Sequence, residues 1–386
     1  MNAKFPVEAL ERCQTPFYYY DTRLLDATLA AIRKETDAYG FEEHYAVKAN
    51  ANPTLLKRIA AAGFGADCVS GGEIEAALEA GFPASKIVYA GVGKADWEIR
   101  LAIKCGIAGF NVESEAEMRV ISEIARELHA TATISLRVNP DVDAHTHAKI
   151  TTGLAENKFG INLSMLEGAL RLACELPGIR LQGLHFHIGS QITDLEVFRT
   201  LVTKVNGIVA GLRDKGYVFQ SLNFGGGLGI DYQRPDASPI PDFKGYFGVF
   251  GELLDRTDNP SVHFELGRAV VGQCGTLIAR VLYVKEGEVK KFAILDAGMT
   301  DLVRPAMYDA YHFIENLSSD EPEGEYDVVG PVCESSDVFG AGRRIAAPRR
   351  GDLIAIRGAG AYGEAMASCY NRRPLPGARF SDTIQQ

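Results

Sequence analysis

The feature that most constrains this chain is an alternation of short β-rich runs with helical patterns that starts at Asp21 and lasts about 250 residues. The β-rich runs fall at 43–48, 65–69, 86–90, 107–112, 132–138, 181–187, 220–224 and 260–265. Helical stretches separate them. The clearest sets Phe198, Leu201, Val202, Val205, Ile208, Val209 and Leu212 on one face of a 3.6-residue period. Three helices are expected to open on capping boxes, Ser70 with Glu73, Ser114 with Glu117 and Thr193 with Glu196. Eight strands alternating with helices over this length match a (β/α)8 barrel better than an open doubly wound sheet.

Beyond Arg268 the texture changes. Short β runs at Thr276–Val284, Val289–Leu295, Tyr326–Val329 and Asp352–Ile356 are separated by turn clusters such as Glu286-Gly287 and the stretch from Asp320 to Gly324. The expected organisation is therefore α/β plus all-β. Residues 22–270 form a (β/α)8 barrel. Residues 1–21 and 271–386 form a second domain of β-sandwich or Greek-key-like β-barrel type, with Phe17–Tyr20 as its N-terminal strand. A chain of 386 residues with 46% hydrophobic content can fill two cores.

Charge and cysteine usage narrow the partners. A net charge of −10 argues against nucleic acid or an anionic membrane, while leaving room for a local cationic pocket. No apolar run reaches a membrane span, and residues 1–14 lack the charged-then-apolar pattern of a signal sequence. Seven scattered cysteines include no CxxC pair, so neither a disulfide framework nor a structural zinc site is expected. A cytoplasmic protein with reduced thiols and no metal is the expectation.

In a (β/α)8 barrel the reactive groups come from the C-terminal ends of the strands. Here those ends carry Lys48, Asp67, His185 with His187 and Ser190, then Gly225-Gly226-Gly227, and finally Glu265, Gly267 and Arg268. Singly each is ordinary: a surface lysine, a turn, an ion pair. Their gathering at one face is the argument. A lysine at a strand end can lose its solvation and bond a carbonyl cofactor. The glycine run does not fit GxGxxG, because the third glycine would fall on Ile230, so a dinucleotide fold is not supported. Its place after strand seven, with Gly267 after strand eight, suits a phosphate approached by backbone amides. His185 and His187 invite a metal reading, but a metal-dependent hydrolase needs more histidines on later strands, and His145 and His147 lie in a polar loop. One imidazole stacked on a flat ring fits better. A carboxylate such as Glu265 can hold a pyridine nitrogen protonated. Lysine, phosphate cradle, imidazole and carboxylate together point to pyridoxal 5'-phosphate.

The motifs Tyr45-Ala-Val-Lys-Ala-Asn50, Ser70-Gly-Gly-Glu73, His185-Phe-His-Ile-Gly-Ser-Gln191, Asn223-Phe-Gly-Gly-Gly-Leu-Gly-Ile230 and Cys333-Glu-Ser335 span almost the whole chain. On them the chain resembles the group IV, fold-type III family of pyridoxal-phosphate-dependent decarboxylases. The resemblance implies that Lys48 carries the cofactor, that His187 stacks on its ring, and that Glu265 faces the ring nitrogen. It implies that Ser190, Gly225 to Gly227 and Arg268 surround the phosphate, and that Tyr362 reaches cofactor and substrate. It also implies that Cys333 is the proton donor and comes from the partner subunit of a homodimer with shared sites. Leu266 stands where the family usually has proline, and Ser336 where glycine is usual; neither change removes a reacting group.

Substrate choice follows from the tail. Ornithine or lysine ends in an ammonium alone, and an arginine would repel it. Arg304 with Tyr308 would bind a second carboxylate, and Glu334 its neighbouring ammonium. The expected reaction is decarboxylation of meso-2,6-diaminopimelate to L-lysine and carbon dioxide, the last step of lysine biosynthesis. The alternative is a decarboxylase of ornithine, arginine or a related basic amino acid on the same fold. An alanine-racemase type would lack the Cys-Glu loop, and a lone-barrel carrier would lack the β domain.

Overall fold

The computed structural model describes residues 5–142 and 158–384. His145 and His147 lie outside the described residues. The chain divides into two compact units, one of Leu29–Gly229 with Asp242–Gly267, the other of Met1–Thr28, Ile230–Pro241 and Arg268–Gln386.

The first unit is a closed parallel barrel. Its eight strands are Phe41–Ala46, Gly65–Cys68, Ile87–Tyr89, Gly109–Val112, Ala132–Asn139, Ile179–Phe186, Ser221–Asn223 and Ser261–Phe264. Each pairs with the next, and the ring shuts where Ser261–Phe264 lies beside Phe41–Ala46, with His263 opposite Glu42. Every β-rich run read from the sequence coincides with one of these strands. A two-residue strand, Ile161–Asn162, adds to the end of Ala132–Asn139 outside the ring.

Strand parity sets which side chains face the lumen. Phe41 and Phe264 turn outward, and Phe264 sits 5.0 Å, centroid to centroid, from Phe247 on the covering helix Phe243–Leu253. Residues 42, 44, 263 and 265 have the opposite parity and turn inward.

The helices begin where donors need partners. Ser70 and Ser114 accept the N–H groups of Glu73 and Glu117, each at 3.2 Å. The two glutamates reach back one residue further than a capping box requires, to the N–H groups of Val69 and Glu113. The third start shifts by one residue. Asp194, not Thr193, caps Leu195–Arg213, accepting the N–H of Glu196 at 2.9 Å. That helix buries Val197, Phe198, Leu201, Val202, Val205, Val209 and Leu212, while Ile208 is only half-buried.

The second unit is built on a mixed sheet whose main order runs Ile314–Asn316, Leu353–Ile356, Gly275–Glu286, Lys291–Leu295, Glu323–Val329, Val338–Ala346. Phe17–Tyr20 joins it antiparallel to Gly275–Glu286, with Phe17 opposite Ile278 and Tyr20 opposite Gly275. Its other neighbour is the parallel strand Gly377–Phe380. The strands at 314–316, 338–346 and 377–380 are additions to the sequence reading. Val338–Ala346 carries Gly340, Gly342, Arg343 and Arg344 in its middle, so it shows neither apolar alternation nor a β-branched run. Phe5, Leu10, Phe17, Tyr19, Ile278, Leu317, Leu353 and Ala355 form a core here, the larger side chains contributing about 1.5–3 kcal/mol each on burial.

No helix among the described residues is long and apolar enough to cross a membrane. All seven cysteines are free thiols.

Candidate active site

Strand ends at the C-terminal mouth of the barrel bring a lysine and two carboxylates together. Lys48 sits on a single 3₁₀ turn, Val47–Ala49, directly after the first strand. Tyr45 donates its hydroxyl to the carbonyl of Asn50, and Asn50 accepts the N–H of Asn52, which holds both ends of the turn. The Lys48 side chain is 40% exposed, and its Nζ lies 3.7 Å from Oδ2 of Asp67 at the end of the second strand. Burial pushes the Asp67 carboxyl well up, and the charge of Glu265 adds to the rise while Lys48 opposes it. Neither carboxylate oxygen of Asp67 has a hydrogen-bond partner among the described residues.

Glu265 is the opposite case. It follows the eighth strand and is buried, which alone would raise its pKa. His185 first, then Lys48 and His187, outweigh that and hold the carboxyl well below the usual range. Three neighbours fix it. Oε1 accepts from Nδ2 of Asn111 at 2.9 Å and from Nδ2 of Asn223 at 2.7 Å; Oε2 accepts from Nε2 of His185 at 3.0 Å. Strands four, six and seven thus each supply one donor to a group at the end of strand eight. Glu43 holds the adjoining backbone from the outer side of the first strand, its Oε1 accepting the N–H of Leu266 at 2.6 Å.

His187 stands just beyond the sixth strand. Its Nδ1 accepts the N–H of Gly226 at 3.3 Å, so the ring proton is on Nε2. Burial, Arg137 and Lys48 keep the imidazole neutral. His185 and His187 therefore go to different partners and do not form a metal pair. The glycine run is needed for closeness. A Cβ on Gly226 would come within 2.2 Å of the Glu265 carbonyl, one on Gly225 within 2.6 Å of the Phe186 carbonyl, and one on Gly227 within 2.8 Å of the Gly189 carbonyl. Gly225 and Gly227 have φ of +64° and +113°, which favour glycine. Gly267 has no room for a side chain either, its Cβ falling 2.9 Å from that of Ala49.

The second unit holds a cluster of cations and rings. Arg268 donates from Nη1 to the hydroxyl of Tyr232 at 2.6 Å, and its Cζ lies 4.8 Å from the ring centre of Tyr362. Arg304 lies 4.8 Å from the ring centre of Tyr232 and donates from Nη1 to Nε2 of His312 at 2.8 Å. Both guanidiniums are buried, Tyr308 is half-buried, and Arg304 forms no ion pair with a carboxylate among the described residues. His312 accepts from Arg304 because it is neutral, with burial and the Arg304 charge lowering its pKa to about 3. Tyr362 is held at φ +57°, a left-handed conformation uncommon for a tyrosine. On a separate loop of this unit Cys333 and Glu334 are exposed, and Glu334 accepts the hydroxyl of Tyr370 at 2.7 Å.

The barrel therefore gathers Lys48, Asp67, His187, Gly225 to Gly227 and Glu265, and the second unit gathers Arg268, Arg304 and Tyr362. Asn111 is the partner of Glu265 that sequence reasoning passed over, and His185 was singled out there without the role of holding that carboxylate. Their signal is position at a strand end, which Asn111 shares with many structural asparagines.

Residues 25–272 match the model of the pyridoxal-binding domain of the pyridoxal-dependent decarboxylases. The chain is 56% identical to the diaminopimelate decarboxylase of Bacteroides thetaiotaomicron over 385 residues, covering 100% of both chains. Among solved structures it is similar to diaminopimelate decarboxylase from Helicobacter pylori complexed with L-lysine, with 38% identity, a TM-score of 0.91 and coverage of 97% of this chain and 93% of that one. The M. jannaschii enzyme in co-complex with L-lysine gives 36% identity, a TM-score of 0.90 and coverage of 97% and 89%.

Proposed function

The chain belongs to the pyridoxal-dependent decarboxylase family, and on that premise we propose that it decarboxylates meso-2,6-diaminopimelate to L-lysine and carbon dioxide. The observation that carries the chemistry is Glu265, a buried carboxylate kept ionised by three donors from three other strands. Such a group suits a protonated pyridine nitrogen. The orphaned oxygens of Asp67 beside the Lys48 amine mark a buried polar space that the described residues do not fill. The residues thus fit pyridoxal 5'-phosphate, with Lys48 as its covalent anchor, Glu265 at the ring nitrogen and Asp67 alongside. His187 would lie on the ring face, and Ser190, Gly225 to Gly227, Gly267 and Arg268 would take the phosphate. When bound, that cofactor accepts the electron pair released as the carboxylate leaves.

The chain's own groups do the rest. The Lys48 amine would be the group that holds the cofactor when no substrate is bound. Glu265 would keep its negative charge and so favour a proton on the ring nitrogen of the bound cofactor. Arg304 and Tyr308 hold the distal carboxylate, Glu334 the distal ammonium, and Tyr362 and Arg268 orient the substrate. As the bond between Cα and its carboxylate breaks and carbon dioxide departs, the Cys333 thiol gives its proton to Cα. The exposure of Cys333 supports supply from a partner subunit, and so a homodimer with shared sites. The family match over residues 25–272 supports a cofactor-binding barrel bounded near 22 and 270. Seven free thiols favour a reducing compartment such as the cytoplasm.

Carbon dioxide release from diaminopimelate, ornithine, lysine and arginine decides the substrate. Turnover is expected with diaminopimelate and reduced at least ~10²-fold with the others. Turnover of ornithine without diaminopimelate would overturn the role of Arg304.

A further inference from the structure

A second constellation lies deeper in the barrel, on its first and eighth strands. Glu42 and His44 are two apart on the first strand and so share the inner face. His263 is the register partner of Glu42 on the eighth strand. One ligand atom from each of the three lies within 4.8 Å of the others.

The donors and acceptors here leave two nitrogens facing each other. His44 Nδ1 is 3.2 Å from the carbonyl of Lys86, which can only accept, so Nδ1 carries the proton and Nε2 is bare. Nε2 of His263 is 2.8 Å from the Ser261 hydroxyl oxygen, which also lies 3.1 Å from the carbonyl of Gln220. His44 Nε2 and His263 Nδ1 are 3.1 Å apart, joined through one proton when His263 carries it on Nδ1 and both open to an ion when His263 carries it on Nε2. Two nitrogens on one tetrahedral zinc at ~2.0–2.1 Å lie about 3.3 Å apart, so the rings need move only a few tenths of an ångström to share an ion. The outer nitrogens already have the backbone and hydroxyl partners that orient ligating histidines.

The fold makes room for this arrangement. Gly65 sits opposite His44, and a Cβ there would fall 2.4 Å from the His44 Nδ1. Glu42 is exposed and gives the site an opening to solvent.

We infer that Glu42, His44 Nε2 and His263 Nδ1 bind one divalent ion of the zinc class, with a fourth position open to water. Two imidazoles and one carboxylate suit zinc, cobalt or nickel better than magnesium or calcium. The ion would pin the first strand to the eighth at the seam that closes the ring. The inference does not depend on the reaction proposed above. It also departs from the sequence reading, which expected no metal, because His44 and His263 are 219 residues apart.

The test uses the cofactor-loaded protein, stripped with chelator and titrated with Co²⁺, beside Glu42→Gln and His263→Gln. All three share the same cofactor site and thiols, so metal held there is common to them. Wild type is expected to take up one Co²⁺ per chain more than either variant, with the visible bands of a four-coordinate nitrogen and oxygen site. Zn²⁺ should raise its unfolding temperature and leave both variants unmoved, while decarboxylation is unchanged in all. Equal uptake and equal shifts in the three proteins overturn the inference. If His263→Gln fails to fold, exposed Glu42→Gln decides alone.

Discussion

Glu265 and Glu43 are both buried carboxyls, and their surroundings push them in opposite directions: the first is held below the usual carboxylate range, while the second is pushed above it and holds the backbone beside Glu265. Burial pushes the Glu43 carboxyl well up, the Leu266 N–H opposes that, and the charges of Glu265 and Asp67 add to it. A carboxyl whose pKa is raised in the folded state gives stability that is complete below its unfolded pKa of about 4.3 and is lost as pH climbs through the folded value. Glu43→Gln has no such proton to lose. Its stability relative to wild type should therefore improve as pH rises from about 5 to about 8, read by urea unfolding. Glu43→Ala should cost about 1–3 kcal/mol near pH 5, because the Leu266 N–H is left buried without a partner. The sequence marked Glu265 plainly, since it ends the eighth β run beside Gly267 and Arg268. Nothing in it marked Glu43, an acidic residue in a strand whose neighbours are also polar. Its role depends on a contact with Leu266, 223 residues away.

At the level of elements, legibility followed periodicity. The eight barrel strands and the Leu195–Arg213 helix were read because apolar residues recur at fixed intervals. Val338–Ala346 was not, because its glycines and arginines erase that pattern. The misplaced cap is a finer failure of the same sort: Thr193 satisfies the capping-box spacing, yet its neighbour is the better acceptor and takes the N–H. Asp194→Ala should lower stability by about 0.5–2 kcal/mol, whereas Thr193→Ala should fall within about 0.5 kcal/mol of wild type. Thermal unfolding of the two variants distinguishes the caps.

For the whole molecule, the lysine and the exposed thiol lie in different units. If sites are shared between subunits, Lys48→Ala and Cys333→Ala are each nearly inactive as homodimers, but mixing them after reversible dissociation makes hybrids with one intact site. Random reassociation gives half hybrids, so activity should return to about a quarter of wild type. No recovery, despite hybrids seen by native mass spectrometry, would assign both residues to one subunit. The sequence marked Arg304 and Tyr308 as candidate carboxylate binders but not Tyr232 and His312, which look like ordinary loop residues until folding brings them to the arginines.

The strand Phe17–Tyr20 has a consequence for synthesis. Four consecutive buried aromatic residues emerge from the ribosome ahead of the barrel, yet the strand they pair with begins at Gly275 and their other neighbour at Gly377. At ~5–20 residues per second the wait for Gly275 is about 13–50 s, during which a sticky edge has no partner of its own. The nascent chain must keep that segment shielded while the entire barrel is translated, so residues made after the barrel release those made before it from risk.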